Sequence, residues 1–336
     1  TNLTLSPQSG STFTYGGVIA DGATGMSLTK TGAGTQILTG ANTYAGTTTL
    51  SNTVANIANT QALGTSYADQ TVIAALQVGN GATIGTLGTG DVTNNGVLLF
   101  NRSNTWALTN NVSGTGAVMQ TGIGETHLSG ALTHTGGTRV VAGTLQVGNA
   151  ATSGTLGGDI ANLATVKFNR TDQQTLTNVV SGTGILIKEN SNTLTLTNAQ
   201  TYVGSTTVAA GRLVFQNNTR PTTSGFTGVG ALTIEPTSGS AFSSEFNSNV
   251  YSFANTLTGL TLGSVSNTAT MTVGTPLSIA GPISMYGGDI TLNSAIGTSN
   301  TTNGDILLRG SDINSAFGIN LANGRTLTID NSGSNS

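Results

Sequence analysis

Few residues in this sequence could carry chemistry, and two histidines stand out among them. His127 and His134 lie seven residues apart and are the only histidines in the chain. Such a pair could bind a metal ion or transfer protons if further ligands or partners lay close by. The usual additional ligands are missing from the neighbouring sequence, and the chain contains no cysteine. We therefore expect neither a metal site nor a catalytic site at these positions.

The best group of carboxylates consists of Asp289, Asp305 and Asp312, each of which follows a Gly or Ser in a GGDI, NGDI or GSDI motif. Paired acids can hydrolyse a glycosidic bond when they are held at the required separation. Asp289 and Asp305 therefore define an alternative in which the chain cleaves glycans. An aspartate that follows a glycine in a turn more commonly bonds its own backbone. The structural interpretation is favoured, with no catalytic, cofactor-binding or metal-binding residue.

Other motifs that suggest chemistry are incomplete. The glycine-rich segment 88–96 lacks the G-K-[ST] ending of a phosphate loop. The SGSA segment at 238–241 has no accompanying protease pattern. Arg102 and Arg170 belong to two FNR motifs that lie far apart in the sequence, and they are interpreted as solvated edges rather than a nucleic-acid groove. Trp106 could stack on a sugar ring, although the other copy of its segment has no tryptophan.

The composition excludes several classes of protein. Charged residues make up 7% of the 336 residues and the net charge is −3, whereas typical domains contain about 25% charged residues. No basic stripe for nucleic acid or polybasic membrane anchor is present. No apolar run approaches the roughly 18 residues that a membrane-spanning helix requires. Hydrophobic residues at strand-like spacing favour an ordered chain over a disordered one.

Internal repeats are the strongest signal in the sequence. Three blocks recur in the same order, and an early copy of the third block begins near residue 28. The recurring blocks are LQVGNGATIGTLG (76–88) with LQVGNAATSGTLG (145–157), FNRSNTWALTNNVSGTG (100–116) with FNRTDQQTLTNVVSGTG (168–184), and LSGALTHTGGTRVVAGTLQV (128–147) with LTNAQTYVGSTTVAAGRLVF (196–215).

Aligned copies explain one of the histidines. His134 takes the position that holds Tyr44 in the early copy and Tyr202 in the last one. A ring that fills a structural position is therefore a better interpretation of His134 than a catalytic group. His127 aligns with Ile37 and Thr195, so its position imposes no clear requirement on the side chain.

Each copy reads as short alternating strands separated by tight turns, with no capped helical pattern. Repeated short strands fit an all-β solenoid, a β-helix, and a 68-residue unit would divide into three coils of roughly 22–23 residues. Identical side chains then stack in ladders, and stacked like charges would repel. We expect positive φ at the turn glycines Gly32, Gly34, Gly114, Gly116, Gly182 and Gly184.

The blocks VSGTG, LTKTGAGTQILTGANTYAGTTTL and AGTLQVGN closely resemble the passenger-associated repeats of bacterial autotransporters, the type V secretion proteins. This resemblance covers approximately residues 12–215. It implies a right-handed parallel β-helix that is exported to the bacterial surface as a fragment or processed passenger. We divide the chain into autotransporter-repeat coils at 1–216 and more divergent β-helix coils at 217–336.

The function expected from this resemblance is that of a non-enzymatic surface scaffold for adhesion, self-association or display. Its expected partners are a host or bacterial surface receptor or glycan, or another copy of the chain, without nucleic acid and without a cofactor. Contact with the membrane would come only through a translocator domain outside this sequence. The expected location is the bacterial cell surface or the extracellular space. Two alternatives stay open: a glycan-cleaving enzyme and a passive stalk that assists secretion.

Overall fold

The structure is a computed structural model that describes residues 1–51, 75–223 and 225–331. Short β-strands form almost all of the regular structure in these ranges, and a 3₁₀ turn at Ser248–Val250 is the one helical element within them. In the same ranges no helix is long and apolar enough to cross a membrane. The chain forms two compact units, which are described in turn.

The first unit comprises Thr1–Arg170 and Val180–Gly184. Its strands form three parallel groups: sheet I (β1, β3, β5, β7, β10), sheet II (β2, β4, β6, β8, β11, β13, β15, β18) and sheet III (β9, β12, β14, β16). These strands are β1 (Asn2–Leu5), β2 (Thr12–Tyr15), β3 (Ser27–Lys30), β4 (Thr35–Leu38), β5 (Thr48–Leu50), β6 (Ala75–Val78), β7 (Val92–Asn94), β8 (Val97–Phe100), β9 (Trp106–Leu108), β10 (Val112–Ser113), β11 (Ala117–Gln120), β12 (Glu125–Leu128), β13 (Thr138–Val140), β14 (Thr144–Ala151), β15 (Ile160–Asn162), β16 (Thr165–Arg170) and β18 (Val180–Ser181).

The second unit comprises Thr171–Val179 and the described residues from Ile185 onward. Its parallel groups are sheet IV (β19, β21, β23, β26), sheet V (β17, β20, β22, β24, β27, β30, β33, β36), sheet VI (β25, β28, β31, β34) and sheet VII (β29, β32, β35). These strands are β17 (Gln174–Leu176), β19 (Ile185–Lys188), β20 (Thr193–Leu196), β21 (Thr206–Val208), β22 (Arg212–Gln216), β23 (Gly225–Gly228), β24 (Ala231–Glu235), β25 (Phe246–Asn247), β26 (Ser252–Phe253), β27 (Gly259–Leu262), β28 (Met271–Val273), β29 (Leu277–Ile279), β30 (Ile283–Tyr286), β31 (Asp289–Leu292), β32 (Ile296–Thr298), β33 (Ile306–Arg309), β34 (Asp312–Ser315), β35 (Ile319–Asn320) and β36 (Leu327–Asp330).

Neighbouring strands in each sheet come from successive coils of the chain. In sheet II, Val97 pairs with Ala117, and Val118 pairs with Thr138 on the following coil. In sheet V, Leu213 lies between Leu194 and Leu232. All of these pairings are parallel, and the predicted all-β parallel β-helix is confirmed. The division at residues 216 and 217 stays a prediction.

The interior consists of ladders of apolar side chains, because alternate residues of each strand point inward. In sheet V the inward ladder includes Leu194, Leu213, Leu232, Leu260 and Ile283, each at most 2% exposed. Full burial of a side chain of this size contributes roughly 1.5–3 kcal/mol. Stacked apolar residues therefore stabilise the coils against one another.

Equivalent segments of the long repeat lie in different sheets. Strand β8 belongs to sheet II, whereas its copy β16 belongs to sheet III; β7 belongs to sheet I and its copy β15 to sheet II. In sheet II, the residues that pair in register with Leu98 on successive coils are Val118, Thr138, Ile160 and Val180. Ile160 is therefore three coils after Leu98, and Val180 is four coils after it. The repeat copy of Leu98 is Val166, which lies past the third coil and before the fourth coil closes.

The predicted division of the repeat into three equal coils is therefore wrong. Short strands and tight turns make each coil shorter than predicted, so that the repeat extends beyond its third coil. Each copy is consequently displaced by one face of the coil.

The paired turn glycines serve two different purposes. Gly114 has a φ of 105°, a left-handed conformation that favours glycine. Gly116 has no positive φ, but a Cβ there would lie 2.2 Å from the carbonyl oxygen of Gly96 on the preceding coil. The same division holds for the other two pairs, Gly32 with Gly34 and Gly182 with Gly184. Positive φ was thus predicted correctly for the first glycine of each pair and wrongly for the second, where close stacking of coils requires glycine.

Candidate functional site

The three aligned rings of the repeats are all buried in the structure. Tyr44, His134 and Tyr202 are at most 1% exposed. Each ring meets the hydroxyl oxygen of the threonine four residues later. The pairs are Tyr44 Oη with Thr48 Oγ1 at 2.6 Å, His134 Nε2 with Thr138 Oγ1 at 3.1 Å, and Tyr202 Oη with Thr206 Oγ1 at 2.6 Å. The structure therefore places His134 in the ring position predicted from the repeats.

The surroundings of His134 favour the neutral form of its imidazole ring. The Thr138 hydroxyl donates to the carbonyl oxygen of Gly157 at 3.1 Å, so it accepts from Nε2–H of the ring. Nδ1 has no hydrogen-bond partner among the described residues. Burial lowers the pKa of His134 to about 4, because the charged form would lose its hydration. At neutral pH this side chain therefore packs as an uncharged ring.

His127 lies on the outside of sheet III beside a carboxylate and an ammonium group. Its Nε2 is 3.3 Å from Glu125 Oε1, and Lys167 Nζ contacts the same oxygen at 2.8 Å. Gln146 lies between His127 and Lys167 in the strand register. Ion pairs this close to solvent contribute at most about 1 kcal/mol. The group holds neighbouring coils together, and the sequence does not reveal it because Lys167 comes 42 residues after Glu125.

The three candidate aspartates are not gathered in one place. Asp289 pairs with Asp312 across β31 and β34. Asp305 precedes β33, where it accepts a hydrogen bond from the backbone N–H of Thr326 at 2.9 Å and lies 3.7 Å from Arg325. Asp312 begins the next strand, β34, so that β33 and a turn lie between it and Asp305 along the chain. Glycosidases need two carboxylates that face each other across the substrate. Asp289 pairs in the strand register with Asp312 rather than with Asp305, so the placement of Asp289 and Asp305 gives no support to glycan cleavage.

Within the described ranges, no group of three or more His, Cys, Asp or Glu side chains is placed to hold a metal ion.

Arg102 is buried inside a loop, and its interpretation as a solvated edge is wrong. It is 8% exposed, and its guanidinium donates to the carbonyl oxygens of Gly85 at 2.7 Å and Thr83 at 2.5 Å. Arg170 repeats this contact one copy later, donating to the carbonyl oxygen of Gly154 at 2.6 Å. Each arginine thus fastens a loop of the preceding coil. The sequence could not show this, because the loop returns to the arginine only after the coil has closed.

We expect Arg102→Lys to lower the free energy of unfolding of the first unit by about 1–2 kcal/mol. A lysine has a single ammonium and cannot reach both carbonyls in the geometry of the guanidinium fork. Fluorescence of Trp106, the only tryptophan in the chain, would follow urea unfolding beside the substituted residue. Arg212→Lys is the control for the exchange of Arg for Lys, since that guanidinium has no hydrogen-bond or ion-pair partner among the described residues. Because Arg212 lies in the second unit, far-ultraviolet circular dichroism follows the unfolding of this variant. An equal loss in both variants would contradict the proposed fastening role.

Trp106 is 9% exposed and offers no open ring face for a sugar. It contacts Phe100 edge-on at a centroid distance of 5.4 Å and lies under the Arg102 guanidinium at 5.1 Å. Its Nε1–H donates to Thr126 Oγ1 at 2.8 Å, and that hydroxyl donates to Gln120 Oε1 at 2.7 Å. This ring belongs to the core, and its burial gives no support to sugar stacking.

A second set of buried side chains at equivalent repeat positions, which the sequence analysis missed, consists of Lys30, Gln120 and Lys188. Each is 1% exposed and donates to backbone carbonyls of the turn that follows it. Burial lowers the pKa of both lysines to about 8. A Lys or Gln placed just before a turn in all three copies was the available signal. The contacts are Lys30 Nζ with Thr31 O (2.8 Å) and Gly32 O (2.7 Å), Gln120 Nε2 with Gly122 O (2.9 Å) and Gly124 O (3.3 Å), and Lys188 Nζ with Glu189 O, Asn190 O (2.8 Å) and Ala210 O (3.4 Å).

Comparison with known proteins supports the resemblance seen in the sequence. The passenger-associated-transport-repeat family matches residues 28–52, 120–147 and 186–215. Each matched segment contains one ring of the buried Tyr/His/Tyr set and one member of the buried Lys/Gln/Lys set. These two buried positions are therefore shared features of the matched repeats.

A relative extends the match beyond the repeats. The adhesin BmaC autotransporter of Brucella suis biovar 1 (strain 1330) is 36% identical over 189 residues, which are 56% of this chain and 6% of that protein. The chain thus spans a small part of the curated relative it matches. No solved structure matches the chain. The resemblance to an autotransporter passenger domain is confirmed, and with it the similarity to exported proteins that are displayed on the surface or secreted.

Proposed function

We propose that this chain is a non-enzymatic scaffold within a bacterial surface passenger and that it contributes to adhesion or self-association. The observation that carries the proposal is the engagement of its candidate reactive side chains in structural contacts. His134 fills a ring position, Arg102 fastens a loop, and Asp305 binds a backbone N–H. These roles leave the described outer faces, which are poor in charge, as the part of the chain that meets a partner.

The named relative supports the adhesive role. That protein is called an adhesin, and the matched segment is 6% of its length. A segment of this size would supply a share of the binding surface of a longer passenger. Its contacts would be individually weak, and repetition along the parent chain would raise the effective affinity through multivalency.

The displacement of repeat copies between sheets shapes this mechanism. Strands β8 and β16 are copies, yet they belong to sheets II and III. Equivalent outward residues therefore point in different directions around the coil instead of forming one flat row. We therefore expect partners to bind on several sides of the coil. The repeat copies do not form a single flat array of threonines of the kind found in ice-binding solenoids.

A replacement experiment in the parent protein tests the adhesive function. Bacteria carrying the parent would be compared with bacteria in which this segment is replaced by an unrelated β-solenoid of equal length. We expect the replacement to reduce attachment to surfaces or aggregation of cells at equal surface abundance. Unchanged attachment and aggregation would contradict the proposal and favour the alternative of a passive stalk.

Glycan cleavage, the other alternative, is tested directly with the purified chain. A panel of polysaccharides would be incubated with the chain and assayed for reducing ends. Because Asp289 pairs with Asp312 rather than with Asp305, and Asp305 is engaged by the Thr326 N–H and Arg325, we expect no release. Hydrolysis that is lost on Asp289→Asn would contradict the non-enzymatic proposal.

A further inference from the structure

The second unit contains a surface pocket that none of the contacts above uses. It has a volume of about 340 Å³ and lies where the loop at 217–223 meets the segment 243–251. The coil is wide here, since the step from Ala231 to its partner Gly259 is longer than the step from Arg212 to Ala231. Residues from both segments line the pocket, including Thr219, Arg220, Pro221, Ser243, Ser244 and Tyr251.

Hydrogen bonds fix the walls of this pocket. The backbone N–H and the hydroxyl of Ser243 both donate to the carbonyl oxygen of Asn218, at 2.9 and 3.1 Å. Tyr251 donates its hydroxyl to the carbonyl oxygen of Pro221 at 3.1 Å, and its ring stacks on Phe246 at a centroid distance of 5.4 Å. The pocket is therefore formed before any ligand arrives, which reduces the entropic cost of binding.

Arg220 stands out among the cations of this chain. The chain has 10 lysines and arginines. Eight have an acceptor or another partner, whereas Arg212 and Arg220 have neither a hydrogen bond nor an ion pair from their side chains to the described residues. Arg212 is exposed, but Arg220 is partly buried against the pocket. A partly desolvated guanidinium without an acceptor favours an anionic ligand.

The charge of Arg220 is not neutralised by the tyrosine beside it. Burial raises the pKa of Tyr251 to about 12. The positive charge of Arg220 lowers this pKa, but by less than burial raises it. The phenol therefore stays protonated at neutral pH and keeps its hydrogen bond to Pro221. The guanidinium remains available to an anion from outside.

We propose that this pocket binds an acidic sugar, with the sugar carboxylate on the guanidinium of Arg220. A guanidinium can hold a carboxylate through two parallel hydrogen bonds. The hydroxyls of Thr219 and Ser244, which make no hydrogen bond to the described residues, would meet sugar hydroxyls, and Val250 and the edge of Tyr251 would contact the ring carbons. The volume lies at the small end of ligand pockets, about 300–1,000 Å³, and suits one or two sugar rings.

This inference rests on the proposed adhesive function, for which the pocket supplies one specific contact, but its test is independent of cells. The purified full chain would be titrated with sodium glucuronate and observed through the NMR signals of the ligand. Glucose serves as the neutral sugar and sodium sulfate as the anion without a sugar ring. We expect glucuronate to bind in the millimolar range and both comparison ligands to bind at least 10-fold more weakly.

Substitutions assign the binding to Arg220. We expect Arg220→Gln to weaken glucuronate binding at least 10-fold, Arg220→Lys to weaken it less because the charge is kept, and Arg212→Gln to leave it unchanged. Thermal unfolding would establish whether each variant is folded. If the Gln variant is not folded, the affinity of the Lys variant for glucuronate provides the test of Arg220. Absence of glucuronate binding, equal binding of sulfate, or equal losses in the Arg212 and Arg220 variants would overturn the proposal. Unchanged cell attachment after replacement of the segment, with sugar binding of the purified chain intact, would instead count against the adhesive function and leave the sugar site standing.

Discussion

Lowering the pH from 6.5 to 4 is expected to reduce the stability of the first unit by about 3 kcal/mol through His134. Burial holds the pKa of this ring at about 4 in the folded chain, whereas an unfolded chain has a His pKa of about 6.5. In this interval the unfolded state binds the proton and the folded state does not. Stability is therefore complete above pH 6.5 and is lost as the pH falls towards 4, at about 1.4 kcal/mol per pKa unit. Urea unfolding followed through Trp106 at several pH values measures the loss.

His134→Tyr is the matched variant for this prediction, because the chain itself carries tyrosine at the same position in two other copies. The surroundings agree as well: Gly88 packs against Tyr44 as Gly157 packs against His134. We expect the tyrosine to bond Thr138, as Tyr44 bonds Thr48, and to remove the acid-dependent loss. His127→Gln, at the outer surface, should keep it. An undiminished loss in His134→Tyr would show that other groups cause the acid sensitivity.

Repeated residues made the fold and the shared ring position predictable from the sequence. Alternating apolar residues between Gly-rich turns indicate short strands, and the alignment of Tyr44, His134 and Tyr202 indicates a shared structural position. Both inferences depend on local pattern and on comparison between copies, which a single sequence contains. The parallel coils and the buried rings follow from them.

Path length around the coil could not be predicted in the same way. The displacement of β16 relative to β8 depends on coils that are shorter than the predicted ones. A small difference in each coil accumulates over three coils to one face. The sequence defines the repeat length but not how much of each turn projects from the coil, so the face on which a copy lies is known only from the structure.

Buried cations were missed for a related reason. Arg102 reaches carbonyls 17 and 19 residues earlier, and Lys188 reaches Ala210 22 residues later. Charge usually indicates exposure, because burying an unpaired ion is costly. In these coils the turn carbonyls point toward the interior and supply acceptors, so that a Lys or Arg can be buried with its hydrogen bonds satisfied.

The second large effect is expected in the other unit: Lys188→Met should lower its free energy of unfolding by about 2–3 kcal/mol. Methionine has a similar length but donates no hydrogen bond, so the carbonyl oxygens of Asn190 and Ala210 lose the buried ammonium that bonds them. Leaving a buried acceptor unsatisfied costs about 1–3 kcal/mol. Release of the desolvated charge offsets part of that cost. Urea unfolding followed by far-ultraviolet circular dichroism measures the change, since this unit has no tryptophan.

Lys188→Gln separates the hydrogen bonds from the charge. Gln120 takes the same position in another copy and donates to the carbonyl oxygens of Gly122 and Gly124 at 2.9 and 3.3 Å. We therefore expect the glutamine variant to lose less than about 1 kcal/mol, because one amide can satisfy turn carbonyls without a buried charge. If the Met and Gln variants were equally destabilised, the ammonium charge would be the essential feature. If neither were destabilised, the buried side chain at this position would not support the turn, and the matching Lys, Gln and Lys of the three repeats would need another explanation.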